Sequence, residues 1–207
     1  MIIDTSYFQG EIFLPNIGTS PSSEDGSLLK NFIQEYEEDC LGKCFGYDLY
    51  KEFTDQFDES GELKSDADEK WDQLLNGYEY ELSGKIVKWN GLIQEKEDYK
   101  RSLIAQYVFF YYIQHESFTG VGPVRENANN AEPISIVPKA VRAWRKFYDM
   151  TVGDISEPTI NMTSFGVAID YLGEISSKRS LYQFLEDSGE FHNWQPFGFQ
   201  NINQFDI

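Results

Sequence analysis

The chain has 207 residues, enough for one domain with a sizeable core rather than for two. Its 16 Phe, 13 Tyr and 4 Trp exclude intrinsic disorder over most of the length, and no apolar run reaches the roughly 18 residues of a membrane span. Lys plus Arg is 17 against 35 Asp plus Glu, a net charge of −18 that repels a phosphate backbone and argues against nucleic-acid binding by the surface as a whole.

Met1 to Leu14 lacks the basic start and small-residue cleavage site of a signal peptide, so the expectation is a soluble protein not exported by that route. Two Cys in this length point to a reducing compartment rather than a disulfide scaffold. In chain order, Met1 to Ile17 alternates short apolar stretches with Gly10 and Pro15, and GTSPSSEDG over 18–26 is punctuation; together they predict an N-terminal arm and linker over 1–26. Ser27 is a candidate N-cap for a helix over LLKNFIQEYEED, where Leu28, Leu29, Phe32, Ile33 and Tyr36 keep helical spacing. Leu41, Phe45, Leu49 and Phe53 carry the pattern into a second helix, with Gly42 and Gly46 bending or interrupting the run.

A short helix is expected over Ala67 to Leu75, ending before Asn76-Gly77. Alternating Tyr78, Tyr80 and Leu82, then Ile86, Val87 and Trp89, flank Ser83-Gly84 and predict a β-hairpin over 77–90, the one β element expected. Asp98 to Gln114 is apolar nearly all round from Leu103 to Ile113 and predicts a central helix surrounded by others. The Gly-, Asn- and Pro-rich stretch 117–133 predicts a long loop, Ser135 to Asp149 another helix, and Ser180 to Asp187 a short one. The fold class is therefore mainly α: a compact helical bundle over 27–187 with one hairpin, an extended N-terminal arm, and an extended aromatic C-terminal tail over 188–207 that cannot bury itself.

Charge is uneven along this plan. Residues 1–100 hold 9 basic and 23 acidic residues, and Glu35 to Asp72 alone holds 4 and 14, a pattern of helices with acidic outer faces. Against it, Ile134 to Tyr148 has no acid but carries Lys139, Arg142, Arg145 and Lys146, of which Lys139, Arg142 and Lys146 share one helical face. That face is either a solubilising surface or a contact for an acidic surface on another subunit.

No motif spells out a reaction. Cys40 and Cys44 stand at helical i, i+4 spacing with Cβ atoms about 5–6 Å apart, too far for a relaxed disulfide, and read as small buried hydrophobes. Zinc would need two further ligands, and His115 and His192 sit in no ligand motif. A calcium loop built on Gly61 would place Gln56 and Ala67 at its first and last ligand positions, which fails. Phosphate-loop, dinucleotide and nucleophile-elbow signatures are missing, and no pair of the many carboxylates stands out as catalytic.

The opening IDTSYFQGEIFLPNI, then FIQEYEEDCLGKCFGYDLYKEF, NGYEYELSGKIVKWNGL, LIAQYVFFYYI with its following TGVG, and the closing INQFDI form an order that resembles head-to-tail connector (neck or ring adaptor) proteins of tailed double-stranded DNA phages, more narrowly those of Bacteroidetes and crAss-like phages. The resemblance implies a non-enzymatic virion protein without cofactor or metal, made in the host bacterial cytoplasm and placed at the portal vertex. It implies a ring, usually twelve-fold, that contacts the portal and other neck or tail proteins and lets DNA pass without specific binding. Under that reading the unlike patches of a ring contact are the acidic Glu38, Asp39, Asp55 and Asp58 and the basic Lys139, Arg142, Arg145 and Lys146. Phe191, Trp194, Phe197, Phe199, Phe205 and Ile207 become candidates for docking on a partner, with docking onto the chain's own core as the alternative. Two other functions compete: an acidic intracellular module that recruits or inhibits a basic partner, and a carboxylate hydrolase, which no motif supports.

Overall fold

The computed structural model describes residues 1–14, 24–97, 99–118, 137–153 and 177–199. Six α-helices dominate these residues: α1 (Glu24–Phe45), α2 (Tyr47–Thr54), α3 (Glu69–Asn76), α4 (Leu103–Phe118), α5 (Val137–Thr151) and α6 (Leu181–Ser188). Five strands form two small sheets: β1 (Tyr78–Leu82), β2 (Lys85–Trp89) and β5 (Lys178–Arg179) in the order β1-β2-β5, and β3 (Ile93–Lys96) with β4 (Tyr99–Ser102). The helical expectation therefore holds in its coarse form, with more β-structure than one hairpin. Among the described residues no helix is long and apolar enough to cross a membrane.

Helix α4 is the centre. Leu103, Ile104, Ala105, Tyr107 and Val108 are wholly buried, because α1 and α5 pack along it, while Tyr111, Gln114 and His115 in the later turns reach the surface. From α5 the core takes Ala140, Ala143, Trp144 and Phe147 among others, and from α1 Leu29, Ile33, Cys40, Leu41, Cys44 and Phe45. At about 1.5–3 kcal/mol for each large side chain removed from water, this three-helix contact is the main source of stability. The two thiols are free and buried, as their spacing predicts. Helix α1 starts at Glu24, so Ser27 lies inside it rather than capping it. It also runs through Gly42 and stops only at Gly46.

The hairpin appears where expected, with Tyr78 opposite Trp89 and Leu82 opposite Lys85. Ser83 and Gly84, at φ 51° and 81°, make the left-handed turn that matches strand twist. The second hairpin replaces the predicted start of the central helix. Residues 99–102 pair with 93–96, Ile93 opposite Ser102, and the Ser102 hydroxyl donates to Leu92 O (2.7 Å) while accepting from Ile104 N (3.1 Å). Ser102 thus ends the strand and caps α4 in one step. Strand β5 lies parallel to β2, with Lys88 opposite Lys178 and Trp89 opposite Arg179. It leads directly into the Ser180/Gln183 capping box of α6.

The N-terminal segment is not an extended arm. Ile3, Tyr7, Phe8 and Ile12 are buried in the main core, carried on two 3-10 turns at Thr5–Tyr7 and Gly10–Ile12. The Tyr7 hydroxyl donates to Glu95 (2.7 Å), which also receives Lys100. Most of the predicted loop over 117–133 and part of the linker over 18–26 lie outside the described residues.

Glu37 holds this segment onto α1. It is 8% exposed, and its two oxygens accept the Ile2 amide (2.8 and 3.0 Å) and the Ile3 amide (3.0 Å). Burial raises its pKa by more than those two amide bonds lower it, so the net shift is upward from 4.5. A carboxyl with a raised pKa keeps its proton in the folded chain where the unfolded chain has released it. Its contribution is therefore full below pH 4.5 and declines as pH rises through the folded value. Melting temperature measured against pH is expected to fall across that window in the natural sequence, and Glu37→Gln is expected to remove that part of the slope.

Candidate binding cleft

Three positions of α1 one turn apart, Glu35, Asp39 and Lys43, lie along one stripe, and Glu38 sits beside them. Facing the stripe, α4 presents Tyr107 and Tyr111, again one turn apart. Their hydroxyls are polar groups in an apolar helix and need partners. Asp39 supplies one: its Oδ2 accepts from Tyr107 Oη (2.5 Å) and from Lys43 Nζ (2.7 Å), and Lys43 also donates to Tyr107 Oη (3.0 Å). Burial pushes the Tyr107 hydroxyl far above its ordinary pKa, and the Asp39 hydrogen bond adds to this, so it stays protonated as a donor. Burial pulls the Lys43 ammonium down, but the Asp39 hydrogen bond and charge outweigh it and the net shift is upward. Lys43 is thus held charged and neutralised by Asp39.

Around this network opens a cleft of about 730 Å³, walled by Tyr47 and Tyr50 of α2, Tyr107 and Tyr111 of α4, Trp144 of α5, and Phe197 to Phe199. A second depression of about 560 Å³ continues past Tyr36 and Glu35. Tyr36 stacks on Tyr111 with ring centroids 4.5 Å apart, forming a flat aromatic wall between the two. Tyr47 and Phe197 stand 76% and 63% exposed at the mouth. Among the described residues no group of His, Cys, Asp and Glu is arranged to hold a metal ion. The walls offer π-faces and carboxylates.

The floor depends on the C-terminal segment, which docks on its own core. Phe191 is 6% exposed, with its ring 5.6 Å from that of Trp71, and Phe199 packs on Phe147 at 4.9 Å. The segment also closes the end of α1, whose last carbonyls have no helical partner. Phe197 N donates to Lys43 O (2.9 Å), Trp194 Nε1 to Cys44 O (2.9 Å) and Gln195 N to Phe45 O (3.1 Å). Asn193 adds a bond to Glu52 of α2. The expected extended tail is thus, over 191–199, a cap and a core layer. Of Phe191, Trp194, Phe197 and Phe199 only Phe197 turns outward, and Phe205 and Ile207 lie outside the described residues.

Gly46 makes that approach possible. At φ 78° and ψ 166° it occupies backbone space that is essentially glycine's alone, and a Cβ there would overlap the Gln195 carbonyl. Gly46→Ala is expected to cost about 2–3 kcal/mol of unfolding free energy in urea titration, through strain and through loss of the cap. A loss under 0.5 kcal/mol, on the order of an ordinary surface change, would mean the segment is not held there.

The eight charged candidates fare differently. Lys146 pairs with Glu11 of its own chain (2.8 Å), lowering the Glu11 pKa, so it fastens the N-terminal segment rather than meeting a neighbour. Asp39 is spent on Lys43 and Tyr107. Asp58 accepts Ser60 N (2.8 Å), Ser60 Oγ (2.6 Å) and Glu62 N (3.1 Å), which organises its turn. Glu38, Asp55, Lys139, Arg142 and Arg145 are exposed, and the side chains of Glu38, Lys139, Arg142 and Arg145 have no hydrogen bond or ion pair among the described residues. The cleft tyrosines were not singled out from the sequence. The signal that marks them is the pair of hydroxyls at Tyr107 and Tyr111 in an otherwise apolar helix. Set against protein families, curated proteins and solved structures, the chain gives no match.

Proposed function

We propose that the chain is a structural subunit of a tailed-phage neck, assembling head to tail into a ring between portal and tail through which DNA passes. The observation that carries this reading is the separation of unlike patches on one subunit. On α5, Trp144 faces the acidic cleft. Arg142 and Lys139, two and five residues earlier, are turned about 160° and 140° away at roughly 100° per residue. An acidic patch and a basic patch on opposite sides of one element fit heterologous contacts, the kind from which rings are built when the rotation between copies closes. The resemblance of the sequence to connector proteins supplies the place of such a ring. A net charge of −18 per copy keeps the passage from binding DNA.

The test is assembly. Full-length protein, alone and mixed with portal rings, is expected to form closed rings in negative-stain images and in native mass measurements. A chain that stays monomeric at high concentration and ignores portal rings would overturn the proposal. A tight one-to-one complex with a basic protein would replace it with the recruiter or inhibitor reading.

A further inference from the structure

We infer that the aromatic cleft is the receptor for the basic row of α5 on a second copy of this chain, with Arg142 as the central inserted side chain. This rests on the head-to-tail part of the neck reading and goes beyond it by naming both surfaces. Three observations converge. The cleft has the chemistry of a cation site: Tyr47 and Tyr50 offer π-faces beside the Tyr36–Tyr111 stack, and Glu35 and Glu38 offer carboxylates, while Asp39 offsets the charge of Lys43. At about 730 Å³ it is large enough for more than one long side chain. The complementary surface is on the same chain: Lys139, Arg142 and Arg145 are exposed with no ion pair among the described residues, Arg142 feeling only the charge of the Glu11 that Lys146 holds, and no acid interrupts 137–148. Finally, Trp144 lines the cleft from one side of α5 and Arg142 leaves on the other, so a subunit cannot fill its own cleft with this row. The partner must be another copy, and the contact joins two different patches.

A guanidinium inserted between tyrosine faces and held by Glu38 would be charge-assisted and partly desolvated, which makes it sensitive to either partner. The experiment uses the full chain in three forms: natural, Glu38→Lys, and Arg142→Glu with Arg145→Glu. Sedimentation velocity reads assembly, and circular dichroism checks the fold, which these exposed positions should leave unchanged. Each variant alone is expected to raise the dissociation constant at least tenfold. An equimolar mixture of the two is expected to recover association and stop at the dimer, because one copy keeps only its basic row and the other only its cleft. Assembly of both variants at natural affinity would overturn the inference while leaving the ring intact. The cleft would then belong to a segment of the chain itself or to another basic partner. A mixture that grows past the dimer would also overturn it. A natural chain that does not assemble, alone or with portal rings, would overturn this inference and the neck reading together.

Discussion

Phe191→Ala is expected to cost about 3–5 kcal/mol of unfolding free energy, and ending the chain at Glu190 is expected to abolish the folded state. Phe191 is 6% exposed and packs against Trp71 and Phe184, so truncating it leaves a cavity between α3, α6 and the segment that follows α6. The truncation removes in addition the donors to Lys43 O, Cys44 O and Phe45 O. Each of these hydrogen bonds contributes about 0.5–1.5 kcal/mol net, since water replaces the lost donor, and the burial of Trp194 and Phe199 is lost with them. Together these losses match the whole stability of an ordinary domain, about 5–15 kcal/mol. Urea unfolding followed by circular dichroism checks both. A truncated chain that melts like the full one would show that the segment serves a partner and not the core.

Asp187→Ala is expected to cost about 3–5 kcal/mol, because it removes the carboxylate that pairs with a guanidinium shut off from water. The Arg179 side chain is 0% exposed and Asp187 12%, and they meet through two bonds, Nε to Oδ2 (2.7 Å) and Nη2 to Oδ1 (2.9 Å). Tyr80 donates a third to Asp187 (2.6 Å). This triad ties β1 to β5 and α6, which follow each other in the chain and lie 107 residues from Tyr80 at Asp187, and fixes the short parallel pairing of β5 on β2. Burial and then the Asp187 hydrogen bond push the Tyr80 hydroxyl well above its ordinary pKa, so it remains a donor across the working pH range. Tyr80→Phe removes only the neutral donor and is expected to cost about 1–2 kcal/mol. An equal loss for the two substitutions would mean that the ion pair contributes nothing beyond one hydrogen bond.

Periodicity made the helices legible. The 3- and 4-residue spacing of α1, the all-apolar middle of α4 and the one-sided α5 dictate how they pack, and Ser83-Gly84 dictates the first hairpin. Strand β4 was not legible because Asp98 to Ser102 leads without a glycine or proline into an apolar helix. Its strand state rests on pairing with 93–96, a tertiary effect. The N- and C-terminal segments were misread for a related reason. Their hydrophobic residues follow neither helical nor strand period, since they pack from 3-10 turns and irregular chain, so a periodic reading takes them for arms. Charge segregation was visible, but which charges remain outside was not. Lys146, Asp39 and Asp58 are consumed by partners 135, 68 and 2 or 4 residues away. Only the first two separations need the fold, and the local turn at Asp58 was within reach of the sequence. The cleft itself is a product of topology, gathering tyrosines from α1, α2 and α4 that no linear motif joins.

The central claim is the position of the protein in an assembled particle. Tailed-phage particles built with tagged copies of this chain, stained with a tag-specific gold label and imaged in the electron microscope, test it without reference to any fold argument. Label is expected at the collar between capsid and tail, on the axis of the portal. Label absent from the particle, or confined to the capsid shell or the tail tip, would contradict it.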